Sequence, residues 1–345
     1  MTTEYFNKLH FISHLRIIST LLIIAFHSLC FYAGIWWYLA TDIIPLWKIL
    51  ASPIVKIGLT LFFGISGFLF GFNFLHKQKY KEANSLFINK AKRIIIPYLF
   101  WGSVLIITMP NIHISWTNIF TGPAHLWFLL VLFELFVITY SLLNYNVILS
   151  TSTSKKAKFI DIGIIILSFL PLYIWRSISS HHYILCIEDT LYYLPSFIVG
   201  VIIAKHHIIS EYYSKYTLIT VIFILGLIYL LFLSSKDVPL NSIKYRLPSL
   251  LISSCIILLG RSSHYFSSSN RFILFIDNNC MGIYIFNQII IFMILLNPTL
   301  NIFLCSHPYL GPLLLFIMSF LIPLLLSSLF RKIPILLWTL GEGGR

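Results

Sequence analysis

The sequence predicts an all-α, polytopic integral membrane protein, a helical bundle of about ten transmembrane helices, and three observations lead to this fold class. Hydrophobic residues make up 58% of the 345 residues and charged residues only 10%, whereas a soluble domain carries about 25% charged residues. The apolar residues recur in runs of roughly 17–25 residues, the length of helix that crosses a bilayer. Runs such as 217–233 do not alternate in polarity as the strands of a membrane barrel do.

Ten apolar runs qualify as transmembrane spans, and the breaks between them carry Pro, Asn, Ser and charged residues, which are typical of loops. We predict spans at 12–34, 51–75, 94–110, 124–146, 159–175, 191–206, 217–233, 247–260, 280–296 and 309–331. The first run lacks a small-x-small cleavage site, so we expect it to remain as the first helix. No loop is long enough for a separate soluble domain, and residues 1–345 are interpreted as one membrane domain.

The placement of lysine and arginine predicts the orientation. With the N-terminus in the cytoplasm, 17 of these residues fall on the cytoplasmic side: Lys8, Lys77, Lys79, Lys81, Lys90, Lys92, Arg93, Lys155, Lys156, Lys158, Lys205, Lys215, Arg261, Arg271, Arg331, Lys332 and Arg345. Only 5 fall outside: Lys48, Arg176, Lys236, Lys244 and Arg246. The positive-inside rule therefore puts both termini in the cytoplasm. It also explains the net charge of +13, and no nucleic-acid partner is expected.

Two ionisable residues share one face of the first predicted helix. Arg16 and His27 are eleven residues apart, so at ~100° per residue their side chains point within about 20° of each other, roughly 16 Å apart along the axis. Ionisable residues inside a span are costly and indicate function. In a purely structural interpretation, the side chain of Arg16 extends to the membrane interface, and His27 forms a hydrogen bond to a neighbouring helix. Histidine titrates near neutral pH, which also suits it to general base catalysis.

Polar residues also occur in the fourth predicted span. Glu134 falls near mid-membrane, where an unpaired carboxylate is expensive, and we expect it to be protonated or paired with a residue such as His27 or Arg16. His125 and Trp127 fall near the outer interface, where aromatic belts are expected.

Three further features allow both a structural and a functional interpretation. The glycine-rich segment 64–71 lets another helix approach closely, and Ser66 within it either packs or lines a cavity. Lys92 and Arg93 precede the third span. They either fix the orientation of this span in the membrane or form a cationic entrance that binds the phosphate groups of a ligand. In the ninth span, Asn287 and Gln288 are favoured as helix–helix contacts, and Tyr284 and Asn287 are alternatively contacts to an acceptor substrate.

The sequence predicts no metal site. Neither a CxxC pair nor a metal-ligand spacing occurs among the five cysteines, which are Cys30, Cys186, Cys255, Cys280 and Cys305. Cys186 and Cys305 would pair only if both lie in outer loops, and unpaired thiols are the favoured interpretation.

Six segments occur together in an order that carries a family likeness. Arg16 and His27 form an Arg-x10-His element, and FFGISGFLFG contains SGFL. They are followed by KAKRIIIPYLFW, HLWFL, MGIYIFNQ and RKIPILLWTLG. In this combination the chain resembles the acyltransferase-3 family of bacterial membrane O-acyltransferases, which includes surface-polysaccharide O-acetyltransferases. The late element of the family often ends in His where this chain has Asn287, so the contact made there is expected to differ.

The resemblance implies a reaction, its substrates and a location. Acetyl-CoA or another acyl-CoA would be the co-substrate, with no bound cofactor, and a hydroxyl of a cell-envelope glycan or lipid-linked sugar would be the acceptor. His27 would be the general base, with Glu134 beside it. Arg16, Lys92, Arg93 and Ser66 would line the donor site, and His125, Trp127, Tyr284 and Asn287 the acceptor site. The protein would lie in the bacterial cytoplasmic (inner) membrane, in contact with membrane lipids.

Two other classes of function remain open at this point. A transporter or flippase for envelope glycans or lipids would use Arg16, His27 and Glu134 as a relay. A purely structural membrane protein would tolerate the substitution His27→Ala.

Overall fold

A computed structural model describes residues 10–36, 43–80, 82–108, 116–144, 155–178, 185–206, 216–236, 238–262 and 270–342. Within these ranges the chain forms helices and turns and no β-strand. Ten helical segments of the described residues are long and apolar enough to cross a membrane. The predicted all-α, polytopic membrane fold is therefore confirmed.

Thirteen α-helices occur within the described ranges. In chain order they are α1 (His10–Cys30), α2 (Pro45–Leu75), α3 (Ala83–Lys90), α4 (Ile96–Thr108), α5 (Trp127–Asn144), α6 (Lys155–Leu167), α7 (Leu170–Ile178), α8 (Ile187–Lys205), α9 (Tyr216–Ser235), α10 (Arg246–Ser262), α11 (Arg271–Leu296), α12 (Pro298–Ser306) and α13 (Gly311–Phe330). A π-helical turn, Ala91–Ile95, joins α3 to α4. Short 3-10 turns occur at Trp116–Phe120, Ala124–Leu126, Ile243–Tyr245 and Pro334–Leu340.

The chain divides into two compact units. Unit 1 comprises Met1–Phe62 and Ile209–Lys332, and unit 2 comprises Phe63–Ile208 and Ile333–Arg345. Helix α2 contributes its first part to unit 1 and its second part to unit 2. The interpretation of residues 1–345 as a single domain stays a prediction.

Several helix boundaries differ from the predicted spans. The predicted span 280–296 begins nine residues earlier, at Arg271, because the amide side chain of Asn270 caps the helix by accepting a 2.8 Å bond from the backbone of Ile273. The predicted span 159–175 is two helices, α6 and α7, which are separated just before Pro171. Helix α12 was not predicted.

Unit 1 is organised around α1, which packs against α10, α11 and α13. Its apolar contacts include Ile17 and Ile24 of α1 with Ile283 of α11. The hydroxyl of Ser19 in α1 donates a 2.8 Å bond to the backbone oxygen of Gly58 in α2. Helix α1 is therefore held on several sides, which fixes the direction of its polar face.

Unit 2 is organised around α8, which packs against α5, α6 and α7. The second part of α2 also approaches α8 closely: a methyl group on Gly67 would overlap the backbone oxygen of Phe197, and one on Gly200 would overlap that of Gly64. The predicted close approach through the glycine-rich segment is thus present. Small residues matter in a membrane because helix association there depends on packing.

We expect Gly67→Ala to destabilise the protein, because the added methyl group has no space against the backbone of α8. Overpacking of this kind costs about 1–3 kcal/mol, and the melting temperature in detergent should fall. Gly163→Ala is the matched control, because nothing lies within 4 Å of a Cβ atom there and alanine is the better helix former. Equal melting temperatures for the two variants would contradict the close packing of α2 and α8.

Candidate functional site

An ion pair links α1 to α11 in unit 1. Nη1 of Arg16 donates a 2.7 Å bond to Oδ1 of Asp277, and the hydroxyl of Ser13 donates a 2.8 Å bond to Oδ2 of the same carboxylate. The Asp277 side chain is 11% exposed and that of Arg16 is 31% exposed. The Asp277 side chain is thus almost enclosed, while part of the Arg16 side chain remains accessible.

A second polar contact joins the same two helices at His27. Its ring nitrogen Nδ1 lies 2.5 Å from Oδ1 of Asn287. The amide nitrogen of Asn287 donates bonds of 3.2 Å and 2.5 Å to the backbone oxygens of Ile283 and Tyr284. Because the amide nitrogen is engaged on its own helix, the amide oxygen faces the imidazole, and both side chains are buried.

The two contacts show that α1 and α11 run in the same direction. Arg16 and His27 are eleven residues apart, and their partners Asp277 and Asn287 are ten residues apart. At 1.5 Å per residue these separations are roughly 16 Å and 15 Å, so the pairs lie side by side along the helices. The polar face predicted for α1 therefore meets a matching set of polar residues on α11.

Aromatic side chains surround His27. The ring centroid of Trp36 lies 6.0 Å from that of His27, and the ring centroid of Phe292 lies 5.1 Å from that of Trp36. Tyr284 is also buried on α11. The ring of His27 therefore lies beside both an aromatic side chain and the amide of Asn287.

Glu134 lies in unit 2 and contacts the beginning of α8. The hydroxyl of Thr190 donates a 2.5 Å bond to one carboxylate oxygen of Glu134, and the backbone N–H of Cys186 donates a 3.3 Å bond to the other. A carboxylate at a helix N-terminus is favoured by the helix dipole. These contacts favour a structural role in positioning α8. The expectation from the sequence was a protonated carboxyl group, or one paired with a residue such as His27 or Arg16. Its assignment as a catalytic residue stays a prediction.

Basic residues lie in the π-helical turn of unit 2 and directly before it. Lys92 and Arg93 are exposed, as a phosphate-binding role requires. Nζ of Lys90 lies 3.7 Å from the ring centroid of Phe136, which is within cation–π range. Burial raises the pKa of the nearby Tyr80 hydroxyl, although the positive charge of Arg93 opposes this shift.

The other predicted site residues are distributed over both units. His125 is buried in a 3-10 turn, and Trp127 stacks on Tyr193 with the ring centroids 6.2 Å apart. Ser66 is half-buried on α2. Unit 1 therefore contains Arg16, His27, Tyr284 and Asn287, and unit 2 contains Ser66, Lys92, Arg93, His125, Trp127 and Glu134.

All five cysteines are free thiols, including Cys186 and Cys305. The thiol of Cys186 donates a 3.3 Å bond to the backbone oxygen of Thr121. Burial, with the negative charges of Asp189 and Glu134, raises the pKa of this thiol well above its ordinary value. A thiol that stays protonated is a poor nucleophile, so Cys186 is not a candidate for acyl transfer.

Asp277 is the residue of this site that sequence reasoning missed. The predicted span began at 280, immediately after the polar residues Asp277, Asn278 and Asn279. A signal was nevertheless present, because Asp277 and Asn287 have nearly the same spacing as Arg16 and His27. Two parallel helices with matched polar spacings bring such residues together in pairs.

Comparison with known proteins identifies the family. A family model described as an acyltransferase domain, acyltransferase 3, matches residues 9–332. The chain belongs to the acyltransferase-3 family. Neither a curated protein nor a solved structure matches this sequence significantly.

Membership of the acyltransferase-3 family agrees with the ten membrane-spanning helices. The chain is therefore a multi-span membrane acyltransferase. The match includes both polar contacts between α1 and α11, since it begins before Arg16 and ends after Asn287.

We expect Arg16 and Asp277 to be energetically coupled. Arg16→Ala and Asp277→Ala should each lower stability, and the double variant should lose less than the sum, with a coupling of about 1–2 kcal/mol. The measurement is a double-mutant cycle by thermal unfolding in detergent.

The pair Arg176–Glu188 is the matched control for this cycle. Its side chains are 30% and 37% exposed, and exposed ion pairs contribute only about 0–1 kcal/mol. A coupling between Arg16 and Asp277 no larger than that of the control pair would show that their contact contributes little.

Proposed function

We propose that the protein transfers an acyl group, in the simplest case acetyl, from acyl-CoA to a hydroxyl of a cell-envelope glycan or lipid-linked sugar, with His27 as the general base. The observation that supports this most strongly is the contact between Nδ1 of His27 and Oδ1 of Asn287, at 2.5 Å. Membership of the acyltransferase-3 family supports acyl transfer. The acyl donor, the acceptor and the base are what we propose in addition.

The Asn287 contact selects one tautomer of His27. The amide oxygen of Asn287 accepts hydrogen bonds and cannot donate them. Nδ1 of His27 must therefore carry the hydrogen, because the amide nitrogen is already engaged by Ile283 and Tyr284. In the neutral imidazole the lone pair then resides on Nε2. We infer that Nε2 is the atom that accepts the proton of the acceptor hydroxyl.

The proposed reaction needs one proton acceptor and one leaving group. Nε2 of His27 removes the proton as the acceptor oxygen attacks the carbonyl carbon of the thioester. A new C–O bond forms, the C–S bond breaks, and the proton on His27 passes to the CoA sulfur. The products are an ester and free CoA, and the histidine returns to its starting tautomer.

A basic residue of unit 1 supports an acyl-CoA donor. Arg16 uses one nitrogen of its guanidinium for Asp277, and arginine has further donors that suit phosphate oxygens. Lys92 and Arg93 belong to unit 2, and their predicted part in the donor site stays a prediction. Arg16 and His27 are roughly 16 Å apart along α1, a distance that the extended pantetheine arm of CoA is long enough to cover.

We expect His27→Ala to reduce acyl transfer by about 10²–10⁴-fold, because that is the usual contribution of a positioned general base. Membranes of the source cell would be supplied with radiolabelled acetyl-CoA, and label in the envelope glycans would be measured at matched expression. His307→Ala is the control, because His307 is an exposed histidine of unit 1.

The outcomes separate the competing functions. Label that reaches glycan with the wild type and the His307 variant, but not with the His27 variant, supports the proposal. Equal labelling by all three proteins would remove His27 from the mechanism. If the wild-type protein transfers no label from acetyl-CoA, the transporter function would be favoured.

We expect Asn287 to act as a positioning residue for His27. Asn287→Leu removes the oxygen that fixes the tautomer, so kcat should fall by about tenfold or more while the KM for acetyl-CoA changes little. Asn287→Asp keeps an oxygen acceptor against Nδ1 and should retain more activity than Asn287→Leu. Equal losses of kcat in the two variants would mean that Asn287 does not act through the imidazole.

A further inference from the structure

Gln288 is a buried amide with an unsatisfied oxygen. Gln288 is only 6% exposed, and its Oε1 atom has no hydrogen-bond partner among the described residues. A buried acceptor without a partner is costly, and such groups are rare in folded proteins. The cost suggests that a ligand supplies the missing hydrogen bond.

The position of Gln288 relates it to the contact between His27 and Asn287. It follows Asn287 directly on α11, so the two residues differ in depth by only about 1.5 Å along the helix axis, and their side chains point about 100° apart around it. Tyr284 and Phe292, four residues before and after Gln288, lie on the same stripe of α11. Phe292 contacts Trp36, and Trp36 contacts His27.

An aromatic ring and an amide are groups that suit a sugar ring. Trp36 is half-buried with its ring centroid 6.0 Å from that of His27, and Gln288 carries an amide that can accept or donate a hydrogen bond. A sugar presents apolar C–H groups on one face and hydroxyls at its edge. Hydroxyls both donate and accept, so either orientation of the amide is satisfied by such a ligand.

We propose that Gln288 binds a second hydroxyl of the acceptor, beside the hydroxyl that His27 deprotonates, and so selects polyhydroxylated acceptors. This inference rests on the proposed function. A site that hydrogen-bonds a substrate hydroxyl discriminates strongly against acceptors that lack it, because the protein group is then left buried and unpaired. Gln288 is therefore a specificity-determining residue rather than a structural link between helices.

The test combines stability with acceptor kinetics in Gln288→Met, which preserves size but removes the amide. Purified protein would be assayed with radiolabelled acetyl-CoA and increasing amounts of an envelope glycan fraction from the source cell. We expect the apparent KM for glycan to rise about tenfold or more, with the KM for acetyl-CoA unchanged. We also expect the melting temperature without substrate to be equal or higher, because the variant no longer buries an unpaired polar atom.

Asn279→Leu is the matched control for stability. Asn279 is a buried amide on the same helix, but its oxygen accepts a 2.8 Å bond from Ser327 and its nitrogen donates a 2.8 Å bond to Phe275. Removal of this satisfied amide should lower the melting temperature. A similar decrease in Gln288→Met would overturn the proposal and show that Gln288 is a structural link.

The kinetic outcomes separate this proposal from the one on which it rests. If the wild type transfers label and Gln288→Met does so with an unchanged KM for glycan, the role of Gln288 is wrong and the acyltransferase reaction stands. If the wild type transfers no label to glycan, the proposed function fails, and the role of Gln288 fails with it.

Discussion

The central constraint on this structure is that polar groups buried among apolar helices must satisfy one another. The first helix carries Arg16 and His27 among mostly apolar residues, with the hydroxyl side chains of Ser19 and Thr20 between them. Each is paired with a residue of α11: Arg16 with the carboxylate of Asp277, and His27 with the amide of Asn287. Because both pairs involve the same two helices, they also fix how far one helix slides along the other.

The same constraint explains the arrangement of unit 2. The carboxylate of Glu134 has donors from Thr190 and Cys186 at the beginning of α8. At the end of α8, Lys205 donates bonds of 2.8 Å and 3.0 Å to the buried carboxylate of Asp161. Polar contacts thus hold both ends of α8, and its middle packs closely on the glycine-rich segment of α2.

Much of the fold could be predicted from the sequence, because the length of an apolar run and the placement of charges are local properties. The common face of Arg16 and His27 was predictable for the same reason, since helical geometry alone determines it. The helix boundaries could be predicted less accurately. Helix α11 continues through the polar residues at 277–279, and hydropathy alone ends a span there.

The partners of the polar residues could not be predicted. The side chain opposite Arg16 depends on which helix packs against α1 and in what register. No local sequence pattern determines the packing partner or the register. Glu134 illustrates this point. We expected its carboxyl group to be protonated or paired with a residue such as His27 or Arg16, and the structure provides a hydroxyl and a backbone N–H. Asn287 was predicted as a helix–helix contact or as an acceptor contact, and the structure places its amide oxygen against His27 of α1.

The proposed chemistry depends on which nitrogen of His27 carries the hydrogen, and this can be measured directly. Nitrogen-15 NMR of histidine-labelled protein in lipid bilayers distinguishes the two tautomers, and the difference spectrum against His27→Ala assigns the signals. We expect a hydrogen on Nδ1, directed at Asn287, and an unprotonated Nε2. A hydrogen on Nε2, with Nδ1 unprotonated, would contradict the assignment of Nε2 as the base.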